Sequence, residues 1–314
     1  GEVWIAEDKH VGRQVAVKRI RQARLGNADF EARFLFESQV MGQLEHPCII
    51  PLHDLGRNEA GELYSVMKLF RGSSLKQRLT EFHSAKKQDW QRQVEFRRIL
   101  EAFASICHAV AYAHSRGVIH RDIKPDNVML GDYGETTLLD WGLAKAVHSG
   151  SDSVETQPSP DKIYMTTGPS TTHAGAIVGS PFYMSPELAT GQSECVDEKT
   201  DVYLLGATLY EILTGQPPRS GSSTLELIEL AQHTSVPPPR KIDLQIPKPL
   251  EAVCLRAMAH RREDRYSSAT ALAHEIEKYL AGQPVVAYRE SLVMRAWRWC
   301  KRNRRPLYRA SVAV

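Results

Sequence analysis

Paired cysteines are missing from this 314-residue sequence. Its five cysteines are far apart, and none lies in a C-x-x-C pair: Cys48, Cys107, Cys195, Cys254 and Cys300. Zinc knuckles and disulfide-stapled folds need cysteines at short, regular spacing, so the sequence favours neither. We therefore expect buried or inactive thiols in a reducing compartment.

Long apolar runs are also missing. No stretch of about 18 apolar residues is present, and no secretory signal pattern is visible. Hydrophobic residues make up 42% and charged residues 25% of the chain, which is ordinary for a soluble globular protein. The length allows one large globular unit or two lobes. The sequence starts inside a strand-like run and stops at ASVAV, so we expect both ends to continue in a longer protein.

An excess of positive over negative charge is missing everywhere except at the C-terminal end. The net charge is +3, yet residues 285–314 hold eight Lys or Arg and one Glu, which leaves the other 284 residues slightly acidic. This segment could be a solvated extension, a nucleic-acid arm or a juxtamembrane segment. No recognition module accompanies it, which disfavours nucleic acid. Trp297, Trp299 and Tyr308 among the cations favour a location near an anionic membrane.

The first 70 residues have the alternating pattern of strands. Four β-branched runs predict strands at 2–8, 13–20, 48–56 and 62–70. Between the second and third runs, apolar residues at helical spacing predict a helix over 29–45, with Asp29 as its N-cap.

The rest of the chain has mainly helical periodicity. The spacing predicts helices over 94–114, 200–214 and 268–281, the last beginning at Ser267 or Ser268 and stopping at Gly282. Residues 149–180 instead hold eleven Ser or Thr and little periodicity, so they predict a loop.

Five short motifs follow one another in the order and spacing of one enzyme family. HRDIKPDN at 120–127 matches H-R-D-x-x-x-x-N, and VAVK ends at Lys18. Glu37 lies on the next helix, LLDWGLAK spans 138–145 and MSPE spans 184–187. The chain therefore resembles the catalytic domain of eukaryotic-like Ser/Thr protein kinases of the bacterial branch, over residues 1 to about 282. The resemblance implies an α+β, two-lobed protein kinase fold.

The family pattern also implies the domain limits. Residues 1–67 would form a β-rich N-lobe with one helix, 68–71 the hinge, and 72–282 a mainly helical C-lobe with an activation segment at 140–187. Residues 283–314 would be the basic tail. From the charge and aromatic residues of that tail, we expect a membrane span beyond residue 314 and the catalytic domain in the cytoplasm. Gly1-Glu2-Val3 matches the end of the glycine-rich loop, whose first glycines and first strand are missing here.

The resemblance assigns ATP and Mg²⁺ to a set of charged residues. Lys18 would hold the α- and β-phosphates, and Glu37 would pair with Lys18. Asp140 and Asn127 would bind magnesium, which prefers hard oxygen ligands. These roles suit phosphoryl transfer, which depends on positioning and charge neutralisation.

The same motif implies which residues would contact the hydroxyl group that accepts the phosphate. Asp122 would orient the substrate hydroxyl and accept its proton, and Lys124 would meet the γ-phosphate. A lysine at that place is the Ser/Thr-kinase form of the loop, so we expect protein substrates with Ser or Thr acceptors.

The adenine pocket and two structural links are also implied by the resemblance. The pocket would be formed by Gly1, Val3, Ala16, the gatekeeper Met67, the hinge residues Lys68 and Phe70, and Met129. Glu187 would pair with Arg265, and Asp201 would bind the backbone of the catalytic loop.

Regulation is implied by Arg121, which precedes the catalytic aspartate. In the family this arginine meets a phosphorylated residue of the activation segment. We therefore predict autophosphorylation within 166–172, possible in trans between self-associated copies, at Thr166, Thr167, Ser170, Thr171 or Thr172. Ser180 matches a position that in the family lies near the substrate site, and it is interpreted first as structural. Trp141 replaces the usual Phe of D-F-G.

Two other function classes remain open from the sequence. A pseudokinase would have the same fold and bind nucleotide without turnover, but Lys18, Asp122, Asn127 and Asp140 are all present. The second class is a small-molecule kinase of related fold. The complete MSPE segment argues against it, because that segment favours protein substrates.

Overall fold

A four-stranded antiparallel sheet and one helix form the N-terminal part of the molecule. The computed structural model describes residues 1–21, 26–85, 88–146 and 179–289, apart from the side chain of Ser193. The sheet order is β1-β2-β4-β3, with strands β1 Glu2–Asp8, β2 Arg13–Arg19, β3 Leu52–Arg57 and β4 Leu63–Lys68. The helix that packs on β3 and β4 is α1, Ala28–Gln43. The predicted strand and helix types are confirmed here, with shorter third and fourth strands.

The beginning of α1 differs from the sequence prediction. Asn27, not Asp29, is the N-cap, because its side chain accepts hydrogen bonds from the backbone N–H groups of Asp29 and Phe30. Both residue types are good N-caps, and the choice depends on which one has extended backbone angles. Asp29 instead lies in the first turn, where its charge favours the helix dipole.

The remaining described residues are mainly helical. The helices are α2 Leu75–Ser84, α3 Asp89–Ser115, α4 Pro186–Ala189, α5 Glu198–Thr214, α6 Thr224–His233, α7 Lys248–Ala257 and α8 Ala269–Leu280. Short strands complete this part: β5 Ser73–Ser74, β6 Val118–Ile119, β7 Val128–Leu130, β8 Thr136–Leu138 and β9 Lys145–Ala146. The sheet, α1 and this larger helical part form the expected α+β protein kinase fold.

The centre of the helical part is α5, which is buried over most of its length. It begins with a capping box between Asp197 and Thr200 and ends at Gly215, whose φ of 74° lies in the left-handed region. Glycine adopts that angle without the Cβ clash that other residues meet. Around α5 pack α3, α7 and α8, so the large lobe has one continuous apolar core.

The two parts meet through the loop after α1. Ile49 pairs with Leu138 of β8, and the N–H of Leu138 donates to the carbonyl of Cys48 at 2.8 Å. This contact brings the sheet edge beside the loops that follow β6 and β8. The candidate site lies in the gap between them.

The packed structure continues past α8 into the first residues of the segment predicted as a tail. Val285 is buried, and the N–H of Ala287 donates to the Glu275 carboxylate at 3.0 Å. Residues 290–314, which hold seven of the eight cations of the basic segment, lie outside the described residues. Within the described part of the chain, no helix combines the length and apolar character needed to span a membrane.

Candidate active site

A cavity of about 500 Å³ separates the sheet from the helical part. Predicted site residues from both sides line it: Gly1, Val3, Lys18, Glu37, Met67, Asn127 and Asp140. They come from β1, β2, α1, β4 and the loops around β7 and β8, so the fold brings together groups that are up to 139 positions apart in sequence. The Lys18 ammonium group lies on the sheet side of the cavity, and the Asp140 carboxylate lies on the opposite side.

Lys18 and Glu37 form an ion pair between β2 and α1. Their side chains are only 19% and 11% exposed, so the pair is largely shielded from water. Val3 lies opposite Lys18 in the β1–β2 ladder, and Gly1 also lies close to the Lys18 side chain. The pair therefore fixes a positive charge at the top of the cavity, where an anion can reach it.

The proposed adenine pocket is only partly formed by the lining of this cavity. Ala16 is buried and lies opposite Met67 in the β2–β4 ladder. Ala16, Lys68, Phe70 and Met129 do not line the cavity itself. The Lys68 N–H donates to the carbonyl of Pro51 at 3.1 Å, so this donor is already used by the fold.

Asp122 is the centre of a hydrogen-bond network in the loop after β6. Its Oδ2 accepts from Lys124 Nζ at 2.7 Å and from Asn127 Nδ2 at 3.1 Å. Its Oδ1 accepts from both the N–H and the hydroxyl of Ser180, at 3.1 and 2.9 Å. Lys124 Nζ also donates to Ser180 Oγ at 2.6 Å. A hydroxyl is thus held between a carboxylate and an ammonium group.

The donor atoms at the cavity floor suit a hard divalent cation. Asn127 uses its Nδ2 to donate to the carbonyl and carboxylate of Asp122, which leaves its amide Oδ1 as an acceptor. Asp140 adds an exposed carboxylate to the same cavity. Carboxylate and amide oxygens are the ligands that Mg²⁺ takes from proteins, usually with waters and phosphate oxygens completing the shell. The residues present therefore fit such an ion.

Asp201 at the start of α5 holds the catalytic-motif loop from behind. Its carboxylate accepts from the N–H groups of His120 and Arg121, at 2.8 and 2.9 Å, and pairs with His114 Nε2 at 2.8 Å. Burial alone would raise the pKa of Asp201, but the His114 hydrogen bond and charge outweigh it and the pKa is lowered. A buried carboxylate held by several donors stays ionised.

Two residues of the site have left-handed backbone angles. Arg121 has φ of 67° and Asp140 has φ of 62°, and they are the only non-glycine residues with positive φ in the described chain. Such angles cost about 1–3 kcal/mol each and are kept where the surroundings impose them. The Asp201 carboxylate holds Arg121 in this way, which sets the direction of the loop that carries Asp122.

The Arg121 side chain points to the segment after Asp140. Its Nε donates to the carbonyl of Leu143 at 2.5 Å and its Nη2 to that of Ala144 at 3.2 Å. Burial lowers the pKa of Arg121, and the nearby charge of Arg33 adds to that effect. The five predicted phosphorylation positions lie outside the described residues: Thr166, Thr167, Ser170, Thr171 and Thr172.

Glu187 and Arg265 form a bidentate ion pair in the large lobe. The two guanidinium nitrogens donate to the two carboxylate oxygens at 2.7 and 2.9 Å, and both side chains are almost fully buried. Thr200 adds a third hydrogen bond to Glu187. The pair ties the short helix α4 to the loop before α8.

Several contacts of the site were not predicted from the sequence. The Ser180 hydroxyl touches both Asp122 and Lys124, which its place four residues before MSPE could have indicated. Trp141 is fully buried with its ring 4.6 Å from that of His120. Gly142 lies beside the carboxylates of Asp140 and Glu37, where a side chain would be crowded.

Comparison with known proteins agrees with this geometry. The sequence model of the protein kinase domain family matches residues 1–276. Serine/threonine-protein kinase PknD of Protochlamydia amoebophila is 34% identical over 292 residues, and PknD of Chlamydia trachomatis serovar D is 35% identical over 298 residues. A probable serine/threonine-protein kinase of Streptomyces coelicolor, SCO3848, is 36% identical over 291 residues.

The matched region is a fraction of each relative. These alignments cover 90%, 90% and 91% of the chain, but 29%, 30% and 39% of the respective relatives. The chain thus spans about three tenths of the length of the PknD relatives.

Proposed function

Because this chain belongs to the protein kinase domain family, as a bacterial Ser/Thr-type member, we propose that it transfers the γ-phosphoryl group of Mg-ATP to Ser and Thr hydroxyls of proteins. The observation that carries the proposal is the Asp122 network, in which a carboxylate and the Lys124 ammonium hold the Ser180 hydroxyl between them. A substrate hydroxyl needs the same two partners.

The nucleotide is bound by the upper and lower walls of the cavity. Lys18, which is paired with Glu37, would contact the α- and β-phosphates, and Asp140 and Asn127, which line the same cavity, would hold the metal. When bound, Mg²⁺ neutralises charge on the phosphate oxygens and thereby stabilises the transition state. Val3, Ala16, Met67 and Met129 offer apolar surface to the adenine.

The chain's own residues handle the proton and the charge of the transfer step. Asp122 accepts a hydrogen bond from the substrate hydroxyl and takes its proton while the oxygen bonds to the γ-phosphorus. The bond from that phosphorus to the β,γ-bridging oxygen breaks, and ADP leaves. Lys124 stabilises the negative charge on the transferred group throughout.

Regulation by the segment after Asp140 is part of the proposal. Phosphorylation at one of the positions in 166–172 would add an anion that the Arg121 guanidinium can bind, ordering the segment. Transfer between self-associated copies supplies the phosphate. Replacing all Ser and Thr of 166–172 by Ala is expected to lower activity towards other substrates, and full activity of that variant contradicts this part.

A location at the inner face of a membrane completes the proposal. The eight cations among residues 285–314 and the aromatic residues between them favour contact with anionic headgroups. The catalytic domain then lies in the cytoplasm and acts on proteins there.

The test is transfer of radiolabelled γ-phosphate by the wild-type protein and by Asp140→Asn. Loss of the metal-binding carboxylate is expected to lower transfer by about 100-fold or more, since the metal stabilises transition-state charge. Asp132→Asn removes an exposed carboxylate outside the cavity and is the matched control, with wild-type transfer expected. Phosphoserine or phosphothreonine identified by mass spectrometry supports the proposal. Nucleotide binding without transfer by the wild type favours a pseudokinase instead.

A further inference from the structure

A second charged cluster lies just behind the acceptor-hydroxyl site. It consists of Lys76 in α2, Glu211 in α5 and Tyr183 in the segment that follows Ser180. None of the three lines the nucleotide cavity. The proposed transfer chemistry does not use them, so their arrangement needs a separate explanation.

Glu211 is the most buried member of this cluster and both its oxygens are used. The side chain is 1% exposed, Oε2 accepts from the Tyr183 hydroxyl at 2.5 Å, and Oε1 is paired with Lys76. Burial raises the pKa of the Tyr183 hydroxyl, and its hydrogen bond to Glu211 raises it further, so the tyrosine remains a donor. The carboxylate depends on these two groups because a buried charge with an unpaired oxygen is costly.

The Lys76 side chain is partly exposed to solvent, whereas the Glu211 carboxylate is buried. The Lys76 side chain is 37% exposed, so solvent reaches the lysine side of the Lys76–Glu211 ion pair. Tyr183 connects this ion pair to the acceptor site. The N–H of Tyr183 donates to the carbonyl of Ser180 at 3.0 Å, and Ser180 itself contacts Asp122. The helix α2 also packs against the turn Pro125–Asn127 of the catalytic-motif loop.

A further charged group near Tyr183 is acidic. Asp126 in that turn is exposed, and its charge acts on Tyr183 together with that of Asp122. A polypeptide whose hydroxyl lies at Asp122 therefore passes near the exposed Asp126 carboxylate and near the Lys76 ammonium group, which is paired with the buried Glu211. Without Lys76, the surface would attract a basic side chain of the substrate, whose guanidinium could take the free Glu211 oxygen.

We propose that Lys76 is a specificity-determining residue: it fills, from within the chain, the carboxylate site that a basic substrate residue would otherwise occupy. The kinase therefore selects acceptor sequences without Arg or Lys at the flanking position that reaches Lys76. The inference rests on the proposed Ser/Thr kinase activity, and it adds the class of peptide that the enzyme accepts. A repulsive element of this kind is a common way to build specificity.

The test is a positional peptide library, in which each position around a fixed Ser or Thr is varied, assayed with wild type and with Lys76→Met. Methionine keeps the apolar stem and removes the charge. The wild type is expected to disfavour Arg and Lys near the acceptor, and Lys76→Met is expected to gain a preference for Arg at one position of about tenfold in kcat/KM, as one charge-assisted hydrogen bond supplies. Arg78→Met removes a half-buried charge from the same helix, with a side chain 36% exposed, and should keep the wild-type pattern.

A double variant separates this role from a merely structural one. In Lys76→Met with Glu211→Gln the carboxylate is gone, so the gained preference for Arg is expected to disappear, whereas Lys76→Arg should behave as the wild type. An unchanged pattern in active Lys76→Met overturns the inference alone. A wild-type preference for Arg near the acceptor overturns it even if Lys76→Met does not fold. If the wild type binds nucleotide but transfers phosphate to none of the peptides, the proposed Ser/Thr kinase function is overturned as well.

Discussion

Ser180 is the residue whose position explains most about the acceptor site. Its hydroxyl donates to one oxygen of Asp122 and accepts from Lys124, while its N–H donates to the same Asp122 oxygen. It therefore fixes the Asp122 carboxylate and the Lys124 ammonium group around one hydroxyl, while Lys124 Nζ also contacts the other Asp122 oxygen directly at 2.7 Å. In this role Ser180 is a positioning residue that acts through Asp122 and Lys124.

Replacing Ser180 by Ala is expected to lower kcat for peptide phosphorylation by about 10- to 100-fold, because a small displacement of a reacting group can cost up to about 100-fold. KM for ATP should change little, because Ser180 does not line the nucleotide cavity. Steady-state kinetics of Ser180→Ala and Ser180→Thr measure kcat for the peptide and KM for ATP in both variants. The threonine variant keeps the hydroxyl and should retain most of the activity, and equal losses in both variants would contradict the positioning role.

The elements that hold the site are fixed by close packing around α5. Gly206 in this helix lies against α7, and a Cβ added there would be 2.7 Å from Met258 Cγ and 2.8 Å from Ala257 Cβ. Real Cβ atoms do not approach other atoms so closely, so the two helices would have to separate. Glycine is therefore required at this contact, although it lowers helix propensity.

We expect Gly206→Ala to reduce the free energy of unfolding by about 1–3 kcal/mol, the usual cost of overpacking a core. Gly42→Ala is the matched control, because Gly42 is an exposed helical glycine in α1 whose added Cβ would meet only the end of the Leu52 side chain, at 3.3 Å. At position 42 the gain in helix propensity should leave the free energy of unfolding unchanged or slightly higher. Urea unfolding followed by circular dichroism compares the two, and a neutral Gly206→Ala would show that the helices can move apart.

At the scale of the whole molecule, the Glu187–Arg265 pair joins the end of the activation segment to the large lobe. Burial opposes ionisation of Glu187, but the hydrogen bonds and charge of Arg265 outweigh it and lower the pKa below the ordinary 4.5. A carboxylate with a lowered pKa in the folded state adds stability above its unfolded pKa. That stability is lost as the pH falls through the folded-state value.

Wild-type protein should therefore lose part of its unfolding free energy as the pH falls below about 4. Glu187→Gln should be less stable at pH 7 by about 3 kcal/mol, because Arg265 is then buried without its partner, and its stability should depend less on pH in the acid range. Urea unfolding of both proteins from pH 7 to pH 3 measures this. Parallel pH curves for the two proteins would contradict a lowered pKa at Glu187.

Much of this architecture follows from local patterns. The alternating runs predict β1 and β2 within one residue of their ends, and the apolar stripe together with Ser268 predicts α8, because these signals are local in the chain. The beginning of α1 was predicted wrongly because Asn27 and Asp29 are equally good caps by residue type, and only the backbone angles decide between them.

By itself, the sequence determined the order of the elements and which residue types are available for chemistry, since motif spacing and side-chain period are properties of neighbouring residues. The tertiary structure decided which of those residues meet. Ser180 reaches Asp122 across 58 positions, and Lys76 reaches Glu211 across 135. Contacts at such separations depend on how the helices pack and how the loops close, and no periodicity in the chain encodes that distance. The use of Lys76 to fill a buried carboxylate beside the acceptor site is therefore visible only in the folded molecule.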